Sequence, residues 1–215
     1  MTPQKPRLPK QLEEPAAAAE YLLRSITDDT DVRGVRIKGA ELSGLALARL
    51  SCLGSSFEGC RLSGCSLYKA EFAECVFISC DLSNCDCAEA SFTRCELLDC
   101  KGVGLNLTDA ALSNVVFAGD SLSLANLGQA SFKNVCFTHT DLGGASLAQC
   151  RAAGLAFLHS SLAGASLFHT PLAGVDLTTC RIDGLVLSGG ELKGAVVTAV
   201  QAAELARLLG LTIKD

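Results

Sequence analysis

The sequence predicts an all-β solenoid, a four-sided coil of about eight turns flanked by short helical ends. Three observations predict it. Every position from Val32 to Val197 whose number ends in 2 or 7 is a sizeable apolar residue or cysteine, except Gly102 and Ala152, over 34 positions. A second, smaller set sits two residues earlier: Ala40, Cys60, Cys65, Ala70, Cys75, Cys80, Cys85, Ala90, Cys95, Cys100 and Ala110. Glycine recurs two residues after the large one, at 34, 39, 44, 54, 59, 64, 104, 154, 164, 174, 184, 189 and 194. A fixed internal period decides the architecture before any reading of single elements.

In an extended chain, residues i and i−2 share a side and i−1 faces the other. Here i−2 and i are apolar, while i−1 is usually Ser, Asp, Glu, Arg or Asn. Each repeat is therefore a three-residue extended piece with two side chains in and one out. The next two residues must turn the chain, otherwise the apolar set would change sides. Glycine suits such corners. A chain that turns the same way every five residues closes on itself, and stacked coils share backbone bonds.

The phenylalanines set the number of sides. Phe57, Phe77, Phe117, Phe137 and Phe157 differ by multiples of 20, as do Phe72, Phe92 and Phe132 in a second column. A 15-residue coil would put Phe157 in a third column, so four sides fit better. The repeats then give 34/4 = 8.5 coils, or ~40 Å of rod at about 4.8 Å per coil. Gly102 and Ala152 are followed by Leu105 and Leu155, and Cys52 is preceded by Leu50, so large neighbours offset small centres.

Ala40-Glu41-Leu42-Ser43-Gly44, Cys80-Asp81-Leu82-Ser83-Asn84, Thr140-Asp141-Leu142-Gly143-Gly144 and Val175-Asp176-Leu177-Thr178-Thr179 resemble the pentapeptide repeat family, whose consensus is roughly Ala-Asp/Asn-Leu-X-X. That resemblance covers about three quarters of the chain and implies a right-handed quadrilateral β-helix. A narrower likeness lies at the ends. Gln201-Ala202-Ala203-Glu204-Leu205 and Leu208-Leu209-Gly210-Leu211-Thr212-Ile213 look like the C-terminal helix and last strand of Qnr-type quinolone-resistance proteins. Pro6-Arg7-Leu8-Pro9-Lys10-Gln11-Leu12 is similar to the start of Qnr-like proteins of Gram-positive bacteria. This second likeness implies a cytosolic dimer that binds DNA gyrase and topoisomerase IV by imitating B-DNA.

Residues 1–31 are expected to form an arm and a short helix, 32–197 the β-helix, and 198–215 a C-terminal helix and tail. Pro3, Pro6 and Pro9 make residues 1–11 extended or disordered. Pro15 suits a first helical turn, which places a helix over Ala16 to Arg24 with Tyr21, Leu22 and Leu23 as its apolar residues. Thr198 and Gln201 form a capping box for a helix from Ala199 to Leu209 that stops at Gly210. Both helices would cover solenoid ends, which otherwise expose strand edges and core. Val200, Ala203, Leu205, Leu208 and Leu209 offer more apolar surface than one coil needs. They are read as cap plus dimer contact, the dimer being what the resemblance implies.

No run approaches the ~20 apolar residues of a membrane span, and the start lacks a signal-peptide core, so a cytoplasmic protein is expected. Nine of the twelve cysteines occupy i−2, Cys52 and Cys87 are central, and only Cys136 falls at the outward i−1. The column Cys60, Cys80, Cys100 permits disulfides by backbone spacing. Buried thiols also serve as small hydrophobes, and the cytosol keeps them reduced, so they are read as core fillers; a packed interior has no room for zinc. His139 and His159 should be neighbours at corners of one face, with His169 roughly opposite and no third ligand nearby. Asp120 is the one charge at an inward i−2 site, placed to bond corner amides. No nucleophile set or phosphate loop is present, so neither an enzyme nor a cofactor is implied.

Function must therefore lie on the outer surface. Glu41, Arg61, Asp81 and Lys101 alternate in charge on successive coils and support stacking weakly. Between residues 56 and 100 the acids Glu58, Glu71, Glu74, Asp81, Asp86, Glu89, Glu96 and Asp99 face only Arg61, Lys69 and Arg94. That excess of five is a candidate partner-binding surface for a basic groove, although the acids spread over all four faces. Val76, Ile78, Leu98, Val116, Leu158 and the outward Cys136 make one face apolar outside. Such a stripe usually carries something bound, here expected to be the N-terminal arm, or else a partner protein. Two readings of function follow: a Qnr-like protector of type II topoisomerases, without direct nucleic-acid or membrane binding, and a non-catalytic interaction scaffold.

Overall fold

The computed structural model of the chain describes residues 2–208 and 210–213. Helix α1 (Ala18–Thr27) precedes strands β1 (Val32–Arg33), β2 (Arg36–Lys38), β3 (Ser51–Leu53), β4 (Ser56–Glu58), β5 (Glu71–Ala73), β6 (Val76–Ile78), β7 (Ser91–Leu98), β8 (Ala111–Ala118), β9 (Ser131–Thr138) and β10 (Arg151–Leu158). A 3₁₀ turn at Gly190–Leu192 and helix α2 (Ala199–Leu208) follow. All strand pairs are parallel and all pair residue i with i+20, from Val32↔Cys52 to Phe137↔Phe157. Isolated bridges from Glu41↔Arg61 to Asp176↔Val196 keep that register. The molecule is a four-sided β-helix, as the period implies.

Its sides are not equivalent. Two of them, carrying the Leu42 and Leu47 columns, turn with a local bond such as Leu45 N–H to the Leu42 carbonyl at 3.2 Å. The other two carry the strands, and from β7 onward one strand runs through the corner between them. Both phenylalanine columns sit on these strand sides. Their rings stack between coils, Phe57 on Phe77 at 4.9 Å and Phe117 on Phe137 at 4.7 Å between centroids. Such pairs add about 0.5–1.5 kcal/mol beyond burial. The interior is filled: an enclosed gap lined by Leu67, Phe72, Phe77 and Phe117 measures about 10 Å³, at the lower limit for one water. A Cβ at Gly102 would meet Leu122 Cδ2 at 2.7 Å and Leu105 Cδ2 at 3.4 Å, so both leucines take up its space.

Three expectations need correction. Regular strand forms seven levels, at 32–38, 51–58, 71–78, 91–98, 111–118, 131–138 and 151–158, fewer than the expected eight or so coils, and beyond them the register continues only as isolated bridges. The ladder stops there because Pro171 stands where Arg151 donates its N–H to Ala130, and proline has no N–H to give. Ala152 is exposed rather than inward, although Leu155 is buried. Glu191, at an outward i−1 position, is buried; it accepts from the N–H groups of His169 (2.8 Å), Ser188 (3.1 Å) and Gly189 (2.8 Å) and from the Ser188 hydroxyl (2.7 Å). Burial raises its pKa, but these donors prevail and hold it at about 2.

The corner residue has positive φ whether or not it is glycine. Arg49 (62°), Lys69 (57°), Glu74 (56°) and Leu124 (59°) all adopt it. This conformation costs a side-chain-bearing residue roughly 1 kcal/mol or more, so the stacked coil imposes it on sequences that would not choose it alone.

The ends are closed by single side chains. Helix α1 begins at Ala18, two residues later than the proline suggests. Glu13 is still bonded to the first coil, accepting from Arg36 N–H at 2.7 Å and donating to the Gly34 carbonyl at 2.9 Å, so the chain must first cross the end of the rod. Of its three expected apolar residues only Leu22 is buried; Tyr21 and Leu23 are exposed. At the other end the capping box forms, with Thr198 N–H to Gln201 Oε1 at 2.9 Å and Gln201 N–H to Thr198 Oγ1 at 3.2 Å. Gln201 Nε2 then donates to the last-coil carbonyls of Leu177 (2.8 Å) and Cys180 (2.9 Å). Paired bonds from Gly210 and Leu211 to Arg207 and Ala206 end the helix; Leu209 lies outside the described residues. Gln201→Leu removes the side-chain half of the box and leaves the Cys180 carbonyl unpaired, while Leu177 keeps the Cys180 N–H. It should lower unfolding stability by about 2 kcal/mol, read as a lower urea midpoint; an unchanged midpoint would show that α2 does not secure the last coil.

Candidate partner-binding surface

Four of the eight acids between 56 and 100 are neutralised by bases on adjoining coils. Glu58 meets Arg36 at 3.0 Å, Glu89 meets Lys69 at 3.2 Å, Asp81 meets Lys101 at 3.7 Å, and Glu74 pairs with Arg94. The Tyr68 hydroxyl and then Lys69 hold the Glu89 carboxyl below the usual range. Such exposed pairs contribute ~0–1 kcal/mol each; their larger effect here is to cancel charge. The ladder Glu41–Arg61–Asp81–Lys101 is bridged backbone to backbone, yet its side chains pair only as Arg61–Glu41 and Lys101–Asp81. Glu71, Asp86, Glu96 and Asp99 make no ion pair among the described residues. Asp86 instead accepts from Asn106 Nδ2 at 2.8 Å. Glu96 and Asp99 share the side carrying Leu97, Glu71 lies on the Phe72 side, and Asp86 on the Cys87 side.

The apolar stripe is divided by the N-terminal arm, which runs antiparallel to the stacking direction along one corner column. Pro9 lies over Gly34 and Gly54; a Cβ at Gly54 would come within 3.2 Å of Pro9 Cδ. Arg7 N–H donates to Glu74 Oε2 at 2.7 Å, and Gln4 N–H donates to Asn114 Oδ1 at 3.2 Å. Pro3 is buried. Outward residues beside this corner are shaded: Val76 is 7 % exposed, and Val116 and Cys136 are half-buried. Ile78 on the far edge of the same strand is 37 % exposed and Leu158 is 45 % exposed, while Leu98 is half-buried. The corner glycines at 34 and 54 and the acceptors Glu74 and Asn114 are the arm's seat. In the sequence Gly34 and Gly54 stand out only as turn residues and Glu74 only as surface charge, and Asn114 does not stand out at all. Deleting residues 2–11 should raise binding of a dye specific for exposed apolar surface; unchanged dye binding and solubility would show that the arm covers nothing.

Helix α2 points Leu205 inward and leaves Val200 71 % and Leu208 49 % exposed, with Ala203 half-buried. Eleven of the twelve cysteines are buried, and none is in a disulfide. Burial pushes the Cys52 and Cys87 thiols up, and Cys150 up to about 11. The His139 and His159 rings stack at 5.1 Å. Among the described residues, no three His, Cys, Asp or Glu side chains converge as a metal site, and no helix is long and apolar enough to cross a membrane.

A model of the pentapeptide repeat region matches residues 51–127 and 70–147. No curated protein matches the chain. Among solved structures, a trypsin-treated variant of QnrB1, a plasmid-mediated fluoroquinolone resistance protein, is 21 % identical over 86 % of this chain and 90 % of its own, with a TM-score of 0.45. HetL, a pentapeptide repeat protein involved in heterocyst differentiation regulation in Nostoc sp. PCC 7120, is 20 % identical over 82 % and 95 %, with a TM-score of 0.29. Rfr23 from Cyanothece 51142 is 14 % identical over 83 % and 99 %, with a TM-score of 0.27. The repeat model thus identifies a pentapeptide repeat region between residues 51 and 147, and the 20-residue register continues the same coil to both sides of it.

Proposed function

We propose that this chain is a non-catalytic cytoplasmic rod of the Qnr-like kind. It occupies the DNA-binding groove of a type II topoisomerase, gyrase or topoisomerase IV, and so protects the enzyme from quinolones. The observation that carries the reading is an uninterrupted rod with unpaired acids Glu71, Asp86, Glu96 and Asp99 in its first half and an exposed apolar helix edge at its C-terminal end. Apposing two such ends through Val200 and Leu208 would double the rod and leave both acidic segments free for a basic groove. Unpaired cysteines fit a reducing compartment. A second reading, an interaction scaffold for another protein, is favoured by one observation. Half of the eight acids are ion-paired, and the rest occupy three sides rather than one.

A supercoiling assay with gyrase, a fluoroquinolone and increasing protein separates the two. Restored supercoiling that Glu71→Lys with Glu96→Lys weakens would support the protector reading. No rescue, and no inhibition when the drug is omitted, would discard it for that gyrase in favour of the scaffold. The dimer has its own test. Sedimentation should give twice the 22.3 kDa chain mass, and Val200→Glu with Leu208→Glu should halve it; a wild-type monomer would remove the doubled rod.

A further inference from the structure

On the side that carries Phe57, Phe77 and Phe117, the extended corner lacks the local bond seen after Leu42. The carbonyl of the large residue and the N–H of the next i−2 residue therefore both look inward and need partners. The i−2 side chain of the following coil supplies them. Hydrogens on sulfur or oxygen are donated 23 residues back: Cys60 to Ile37 (3.3 Å), Cys80 to Phe57 (3.3 Å), Cys100 to Phe77 (3.6 Å), Thr140 to Phe117 (3.2 Å), Ser160 to Phe137 (3.3 Å) and Cys180 to Phe157 (3.5 Å). Ser160 Oγ also accepts from Thr140 N–H at 3.1 Å.

Asp120 stands in this column between Cys100 and Thr140 and is 2 % exposed. Its Oδ1 accepts from Cys100 N–H at 2.6 Å, as Ser160 does from Thr140. Its Oδ2 is buried without a partner. The register puts the Leu97 carbonyl where the neighbouring residues donate. A carboxylate has no hydrogen to give; a carboxylic acid has one. We propose that Asp120 is a neutral acid in the folded rod, its Oδ2 hydrogen replacing the thiol or hydroxyl hydrogen of its column mates, and that it makes the centre of the rod a joint that loosens as pH rises.

The surroundings agree. From the preceding coil, the Cys100 thiol and the Asp99 carboxylate face it, the latter reaching the adjoining Gly119. From the following coil come the Thr140 hydroxyl and the corner His139, whose ring stacks on His159 of the coil beyond. On its own coil Ser121 follows it. Burial, mainly, pushes the Asp120 pKa from 3.8 to about 8, with Cys100 and Asp99 adding in the same direction. The folded chain thus holds one proton more than the unfolded chain between those values. Stability from this group is full below 3.8, falls as pH rises, and is lost once pH passes about 8, by up to about tenfold in the folding constant per pH unit.

Two measurements test this. Infrared titration of the intact chain should show a carboxylic C=O band that persists at neutral pH, disappears through about pH 8 and is absent from Asp120→Asn. Urea unfolding from pH 5 to 9 should show the wild type losing stability relative to Asp120→Thr and Asp120→Ser, which install the residues the column already uses at 140 and 160; the ratio of folding constants should move by about tenfold per unit. Comparison with the variants cancels the other titrating groups. A carboxylate signal already complete at pH 6, or parallel stability profiles, would overturn the proposal, and the infrared arm decides it even if neither variant folds.

Discussion

The rod depends on one constraint, that each residue lies against its counterpart 20 positions away. Backbone bonds between coils exist only in that register, and the inward side chains meet like with like. Phenylalanine stacks on phenylalanine, thiols lie below thiols, and a methylene gained or lost in one coil is felt by the next. The same constraint sets corner geometry. Arg49, Glu74 and Leu124 accept a left-handed backbone because the bonds above and below leave no alternative.

A coil of this kind solves its polar problem in two ways. Where the corner is tight, backbone bonds backbone, and the inner residue need only be small. Where it is extended beside Phe57 and Phe77, the inner residue donates a hydrogen to a carbonyl of the coil before, whereas the extended corner beside Phe72 also takes the apolar Val115, Val135 and Leu155. This accounts for the cysteine, serine, threonine and aspartate of the i−2 column beside Phe57 and Phe77, and the thiols of Cys65, Cys85 and Cys150 reach carbonyls in the same way at tight corners. Cysteine fills the volume of a small apolar side chain while its weak S–H still reaches a carbonyl. The thiols are structural, so recognition is left to the outer positions, the arm and the exposed edge of α2.

That outer surface is less uniform than its composition suggests. The acidic excess of residues 56–100 is local in sequence but wound around the rod, and bases one coil away pair with four of the eight acids. The arm then buries one edge of the apolar stripe and leaves the other open.

The sequence alone determined the solenoid, its four sides, the inward columns, the capping box at Thr198 and the outward cysteine at 136. The box follows from a local motif, and the rest from a period short enough to be read along the chain, because residues i and i+20 see the same environment. Only the tertiary structure decided which corners are extended, where the ladder stops, that Glu191 turns inward, and that the arm lies on Gly34, Gly54, Glu74 and Asn114. It also decided which acids keep their charge unpaired and that one oxygen of Asp120 is buried without a partner. These depend on which atoms meet across coils and ends, and such pairings between unlike segments leave no periodic trace in a single sequence.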